Sequence, residues 1–198
     1  MGIGKQAKIM SKRQVDVFLT FLGTQRNGLR NQVVLLLSVK AGLRAKEISF
    51  LTWQMVLTSE GKISKVIHLT NDASKGNSGR QIPMNRLLSQ HLEDLLEKSK
   101  AGPRFSPLDR VISTERSNAT SPQVIVNMFQ SWYRELGFVG CSSHSGRRTF
   151  ITNAARNISL AGGSLRDVQA LAGHSNLQTT QRYIEFDSSA QQKIVDLI

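Results

Sequence analysis

Between Met55 and Met84 the chain reads MVLTSEGKISKVIHLTNDASKGNSGRQIPM, a stretch whose texture differs from the sequence on either side. Three short β-type runs, Met55-Val56-Leu57-Thr58, Lys65-Val66-Ile67-His68-Leu69 and Arg80-Gln81-Ile82-Pro83-Met84, are separated by SEGK and by NDASKGNSG. Turn residues fill both connections, the pattern of a small antiparallel sheet. Lys75 lies in the second turn.

Outward from this stretch the periodicity is helical. Upstream, Ser11 and Gln14 form a capping-box pattern before Val15, Phe18, Leu19 and Leu22, so a first helix is predicted up to Gly23. A second is predicted from about Asn27 to Ala41, with Gly42 as a left-handed cap, and a third starts at Arg44. A helix start favours anions through its free backbone N–H groups. Downstream, Leu87, Leu88, His91, Leu92, Leu95 and Leu96 mark a helix from about Asn85, and Ser121-Pro122 opens another that ends near Gly137. Further helices are predicted at about Ser143 to Asn157, Ser164 to Ala172, Asn176 to Ile184 and Ser188 to Leu197. There is no internal repeat and no linker long enough to demand two domains. The reading is α+β: mostly helical, one small antiparallel sheet, a single domain over 1–198.

Composition narrows the function classes. The chain has 198 residues, 39% hydrophobic and 20% charged, with 4 Pro and 15 Gly, which argues against disorder and low-complexity sequence. Its longest apolar run, Val33 to Leu37, is far short of the roughly 20 residues a bilayer requires, so no membrane partner is expected. One cysteine, Cys141, can form no internal disulfide and fits a reducing compartment. Lys and Arg number 26 against 14 acids, a net charge of +12. That excess points to a polyanion, and its spread along the chain points to several folded elements converging on one phosphate backbone rather than a basic tail. A solvated surface that happens to be basic is the simpler alternative.

Among residues that could carry chemistry, His144 and Arg147 share a helix face at i, i+3 and could grip and protonate a phosphate. Arg148 lies on nearly the same face, so spacing leaves open which arginine points inward. His174 follows Gly173 just before a helix start at Ser175-Asn176, and Tyr183 ends that helix; taken singly, each reads as easily as structural. The phosphate-loop, dinucleotide and H-E-x-x-H motifs are absent and the four histidines lack metal-ligand spacing, so neither a metal nor another cofactor is indicated.

Five pieces in order carry a resemblance. Ala41-Gly42-Leu43-Arg44-Ala45-Lys46-Glu47-Ile48, then Ser74-Lys75-Gly76 leading to Arg80-Gln81-Ile82-Pro83-Met84, then His144-Ser145-Gly146-Arg147-Arg148-Thr149-Phe150, then Leu171-Ala172-Gly173-His174-Ser175, and Thr179-Thr180-Gln181-Arg182-Tyr183 resemble the tyrosine recombinase (phage integrase) catalytic domain over roughly Ser11 to Ile198. The family commonly has Leu before its second arginine and His after it, where this chain has Gly146 and Arg148.

The resemblance implies a set of roles. Arg44 and Arg147 would clamp the non-bridging oxygens of a scissile phosphate, where a planar fork suits a phosphorane. Lys75 would protonate the departing 5′ oxygen, a poor leaving group without a proton. His144 would assist proton transfer at the nucleophile, His174 would hydrogen-bond the phosphate, and Glu47 would orient the cations. Tyr183 would attack phosphorus, and a 3′-phosphotyrosyl bond conserves the phosphodiester energy, so no cofactor or metal is implied. Lys12, Arg13, Arg80, Arg148 and Arg182 are the further DNA-binding candidates. Double-stranded DNA, a homotetramer on DNA and accessory bending or directionality factors are the implied partners, in the cytoplasm at the nucleoid of a prokaryote or phage host. The chain resembles the short members that lack a separate N-terminal core-binding domain, or is a fragment, and 187–198 resembles a C-terminal helix docking on a neighbouring protomer, with packing in cis the alternative. Site-specific recombination is the expected activity, against type IB topoisomerase-like relaxation or a DNA-binding accessory protein that does not cleave.

Overall fold

The computed structural model describes residues 7–74, 78–102, 104–114, 117, 119–183 and 195–196. Eight α-helices and one two-stranded sheet are found among them: α1 (Lys12–Gly23), α2 (Gly28–Ala41), α3 (Ala45–Phe50), β1 (Val66–Leu69), β2 (Arg80–Pro83), α4 (Arg86–Lys100), α5 (Pro122–Glu135), α6 (Ser145–Asn157), α7 (Leu165–Ala172) and α8 (Leu177–Gln181). Short 3₁₀ turns occupy Trp53–Met55 and Ile158–Ala161.

α2 is the centre of the molecule. Its run Val33 to Leu37 is wholly buried, and α1, α4 and α6 surround it. Such a helix, apolar on nearly every side, folds only where neighbours cover all its faces. α5 brings Trp132 and Tyr133 against Phe18 of α1, with ring centroids 6.0 and 5.2 Å apart, and Phe129 packs on Trp132 at 5.5 Å. The Tyr133 hydroxyl lies 3.8 Å from Met10 Sδ inside this cluster. A second, smaller core gathers Ile151 of α6 with Val168 and Ala172 of α7, and Tyr183 packs at its edge.

α6 meets α2 at close range because residue 146 is glycine. A Cβ there would stand 2.3 Å from Ser38 Oγ and 2.8 Å from Ser38 Cβ. Gly146 thus lets α6 lie directly against Ser38 of α2, and the helix carrying Arg147 is intact.

The sheet differs from expectation in one respect. β1 and β2 pair antiparallel, with His68 opposite Gln81 and Leu69 opposite Arg80. The run Met55 to Thr58 does not join them: Met55 ends a buried 3₁₀ turn, and Leu57 makes only an isolated bridge to Ile63. Gly61, at φ 74°, turns the chain back on itself, and the Thr58 and Ser64 N–H groups bond the Lys62 and Val56 carbonyls at 2.8 Å on either side of that bridge. α8 ends at Gln181, three residues before the predicted limit, and Ile184 lies outside the described residues. So does the predicted last helix, apart from Val195 and Asp196. Among the described residues no helix is long and apolar enough to cross a membrane.

Candidate active site

Arg44 stands at the N-terminus of α3 because Gly42 turns the chain out of α2 at φ 65° and Leu43 is buried beside it. Glu47, three residues on, reaches back to the Arg44 N–H with Oε2 at 2.8 Å and holds the Arg44 guanidinium with Oε1 at 2.8 Å. One carboxylate therefore caps the helix and aims the arginine. Glu47 is fully buried, and burial alone would raise its pKa. Hydrogen bonds and charge from Arg80 and Arg44 outweigh that and hold it below the usual carboxylate range.

The question left open between the two arginines of α6 is answered by burial. Arg147 is 3% exposed, and its guanidinium donates to the Gly42 carbonyl (2.6 Å), the Ala172 carbonyl (2.6 Å) and His174 Nε2 (3.0 Å). Arg148 is half-buried and bonds the Ala7 carbonyl at 3.0 Å. No carboxylate reaches Arg147 within ion-pair distance among the described residues, and burial with neighbouring Arg44 lowers it to about 10, still cationic at neutral pH. A buried cation held by neutral carbonyls is a site for a bound anion.

His174 accepts from Arg147 through Nε2, so its proton is on Nδ1, which donates to Thr180 Oγ1 at 2.9 Å. Partial burial, then Arg147, Arg44 and Arg80, push its pKa down to about 4 and keep the imidazole neutral. The ring stacks on Tyr183 at a centroid distance of 5.4 Å and an angle of 26°. The Tyr183 backbone is fixed by its N–H to Thr180 (3.0 Å) and by Thr152 Oγ1, which donates to its carbonyl at 3.1 Å.

Two adjoining cavities meet at this Arg147–His174 contact. One, of about 360 Å³, is lined by His144, Arg147, Arg148, Arg182 and Tyr183 among others. The other, of about 900 Å³, is lined by Arg44, Arg80, Arg166 and His174. His144 is exposed at the mouth of the first, and partial desolvation followed by Arg147 and Arg44 lowers its pKa. A basic groove of about 730 Å³ continues past Arg148 along Lys8, Lys12 and Arg156.

Five of the six expected catalytic residues thus converge. Lys75 lies outside the described residues; Lys46 Nζ bonds the carbonyl of its neighbour Ser74 at 2.8 Å. Of the DNA-binding candidates, Lys12, Arg13 and Arg182 are exposed. Arg80 is placed otherwise than expected: its side chain is 7% exposed and bound to Glu47 at 2.9 and 3.2 Å, because a fully buried carboxylate shared by one arginine leaves lone pairs that a second must fill. Sequence reading missed Thr180. Its signal was the requirement that a neutral imidazole has an Nδ1 partner, which a buried hydroxyl six residues on supplies.

Residues 8–189 match the phage integrase family. The chain belongs to the phage integrase family. Tyrosine recombinase XerC of Actinobacillus pleuropneumoniae serotype 7 (strain AP76) is 30% identical over 205 residues, covering 98% of this chain and 62% of that protein. XerC of Histophilus somni (strain 2336) is 29% identical over 198 residues, covering 97% and 62%. The chain therefore spans about three-fifths of the length of these relatives. Among solved structures, the Tn1549 transposon integrase in complex with circular intermediate DNA aligns with a TM-score of 0.76 at 21% identity, over 100% of this chain and 68% of that one. The XerA recombinase aligns with a TM-score of 0.74 at 19% identity, over 100% and 65%. XerH bound to palindromic difH substrate, a post-cleavage complex, aligns with a TM-score of 0.72 at 18% identity, over 94% and 51%. This integrase-family chain therefore has the tyrosine recombinase catalytic-domain fold, the α+β class expected from its sequence.

Proposed function

We propose that this integrase-family chain is the catalytic domain of a site-specific recombinase, which cuts and rejoins duplex DNA through a phosphotyrosyl bond at Tyr183. The observation that carries the reading is the contact chain from buried Arg147 through neutral His174 to the stacked Tyr183 ring. An anion drawn to Arg147 is brought to the cavity that Tyr183 lines.

In this mechanism Arg44 and Arg147 hold the two non-bridging oxygens and stabilise the added charge of the phosphorane. His144, at the mouth of the same cavity, takes the phenol proton as Tyr183 attacks phosphorus; its lowered pKa leaves the ring neutral and able to accept. The P–O5′ bond breaks, and Lys75 supplies the proton to the departing oxygen. The 5′ hydroxyl of a partner strand then reverses these steps. His174, neutral and held by Thr180, keeps Arg147 and Tyr183 in register. Exchange between two duplexes uses several such sites, which fits a tetramer on paired sites with accessory factors that set direction, in a bacterial or phage nucleoid. The DNA-bound Tn1549, XerH and lambda integrase structures that share the fold support duplex DNA as the substrate.

A plasmid carrying two copies of a site taken from DNA flanking the gene tests the reading. Inversion or excision that depends on both copies is the expected result. Relaxation without exchange would instead indicate a topoisomerase, and retardation without any covalent step an accessory protein.

A further inference from the structure

We propose that Arg80 is a positioning residue, a clasp that sets Arg44 and His174 relative to each other, and that Gly173 is the notch through which it passes. The proposal rests on the strand-transfer reading above and names a residue that reading does not use.

Arg80 opens β2, the strand that follows Lys75 in the sequence. Its guanidinium meets Glu47 fork to fork, Nη1 to Oε1 at 2.9 Å and Nη2 to Oε2 at 3.2 Å. The same two oxygens hold the Arg44 guanidinium and N–H. Glu47 therefore has two donors on each oxygen, and a displacement of Arg80 is felt directly by Arg44.

The third donor points elsewhere. Arg80 Nε binds the Leu171 carbonyl at 2.8 Å. The last four carbonyls of an α-helix have no partner within the helix, and those of α7 can all be traced. Gln169 and Ala170 take the N–H groups of His174 and Gly173, at 3.1 and 3.0 Å. Leu171 takes Arg80 and Ala172 takes Arg147. Two arginines from distant parts of the chain thus finish one helix, and their charge suits its negative end. The turn they finish is the one that carries His174.

Gly173 makes this possible. It adopts φ 61°, and a Cβ there would lie 2.9 Å from Arg80 Nη1 and 3.0 Å from Arg80 Cδ. Any other residue would both strain the turn and push the arginine aside. Four of the five N–H donors of Arg80 already meet Glu47, Leu171 and Ser78, which commits the side chain to the protein rather than to a phosphate backbone.

The test uses Arg80→Met, Arg80→Lys, Gly173→Ala and the Arg80→Met/Gly173→Ala double variant. Covalent adduct formation is followed in a single turnover at saturating nicked DNA, and salt-dependent affinity is followed in a Tyr183→Phe background. The expected result is an adduct rate lowered about 10²-fold by either Arg80 variant, the size of a misplacement of about 1 Å. The slope of log affinity against log salt should be unchanged. Gly173→Ala should cost less in the Arg80→Met background than alone, since the side chain it obstructs is gone. Should Arg80→Met not fold, Arg80→Lys, which keeps a cation beside Glu47, carries the same test. A slope reduced by about 0.9 would make Arg80 a phosphate contact, and that, a native rate in Arg80→Lys, or independent costs in the double variant would overturn the clasp. The ¹⁵N signals of the His174 imidazole in DNA-free protein give a second readout. They should show the Nδ1–H form in the native chain and shift in each Arg80 variant. If the native protein forms no adduct, the strand-transfer reading fails while these signals still decide the clasp: native signals in both Arg80 variants would overturn it.

Discussion

Arg147 is the residue around which the site is built. Its buried charge is met by two carbonyls and a neutral imidazole, with no carboxylate within ion-pair distance among the described residues. His174 is the second half of that arrangement, and its titration is a direct test. Its folded value near 4 lies below the roughly 6.5 of an unfolded chain. Between those values the unfolded chain binds a proton that the folded one refuses, so stability is full above about 6.5 and is lost as pH falls toward 4. Urea denaturation of the native chain and His174→Gln across this range should give two curves whose gap is constant above pH 7 and narrows on acidification. A gap that stays constant down to pH 4 would show that His174 titrates as it does unfolded. The HxxR spacing made His144 and Arg147 visible in the sequence, but not which of Arg147 and Arg148 was buried. That depends on Gly42 and Ala172, whose carbonyls come from 105 and 25 residues away.

At the scale of elements, the crossing of α2 and α6 decides where Arg147 stands. In an open helix Gly→Ala stabilises by about 0.5–1 kcal/mol. At residue 146 the sign should reverse, with a loss of about 1–3 kcal/mol from overpacking against Ser38. Thermal or urea unfolding measures it, and Ser38→Gly should recover part of the loss. A more stable Gly146→Ala protein would mean the crossing is looser than described. Helix ends were the most legible feature of the sequence, because caps are local chemistry: Ser11 with Gln14, Gly42 and Ser121-Pro122 all act as their residue types predict. The strand count was less legible. Met55-Val56-Leu57-Thr58 has β-type composition, but whether it forms a strand depends on a partner: Met55 is taken up by the buried Trp53–Met55 turn, and the rest meets only the short return at Lys62 to Ser64. Arg80 shows the same limit for function: a basic residue beside a turn reads as a surface contact until the buried carboxylate opposite is known.

For the molecule as a whole, the net charge of +12 is organised rather than merely excessive. The two cavities and the groove beside them bring Arg44, Arg147, Arg148, Arg156, Lys8 and Lys12 to linked openings, as a phosphate backbone requires. Duplex binding should weaken steeply with salt, and Lys12→Ala should lower the slope of log affinity against log salt by about 0.9. Lys62→Ala, paired with Glu60 and lining a separate cavity, should leave the slope unchanged. A slope insensitive to Lys12 would take the groove out of the DNA path. Whether Tyr183 forms the covalent bond can be read from one peptide. The protein is trapped on nicked duplex DNA carrying its site and digested with protease, and the DNA-linked peptide is identified by mass spectrometry. Tyr133, the other tyrosine, is 4% exposed with its phenol raised by burial, so Tyr133→Phe should still form the adduct while Tyr183→Phe forms none and keeps its fold and DNA affinity. A DNA-linked peptide containing Tyr183 is the predicted result; a link at any other residue, or an adduct that survives Tyr183→Phe, would contradict it.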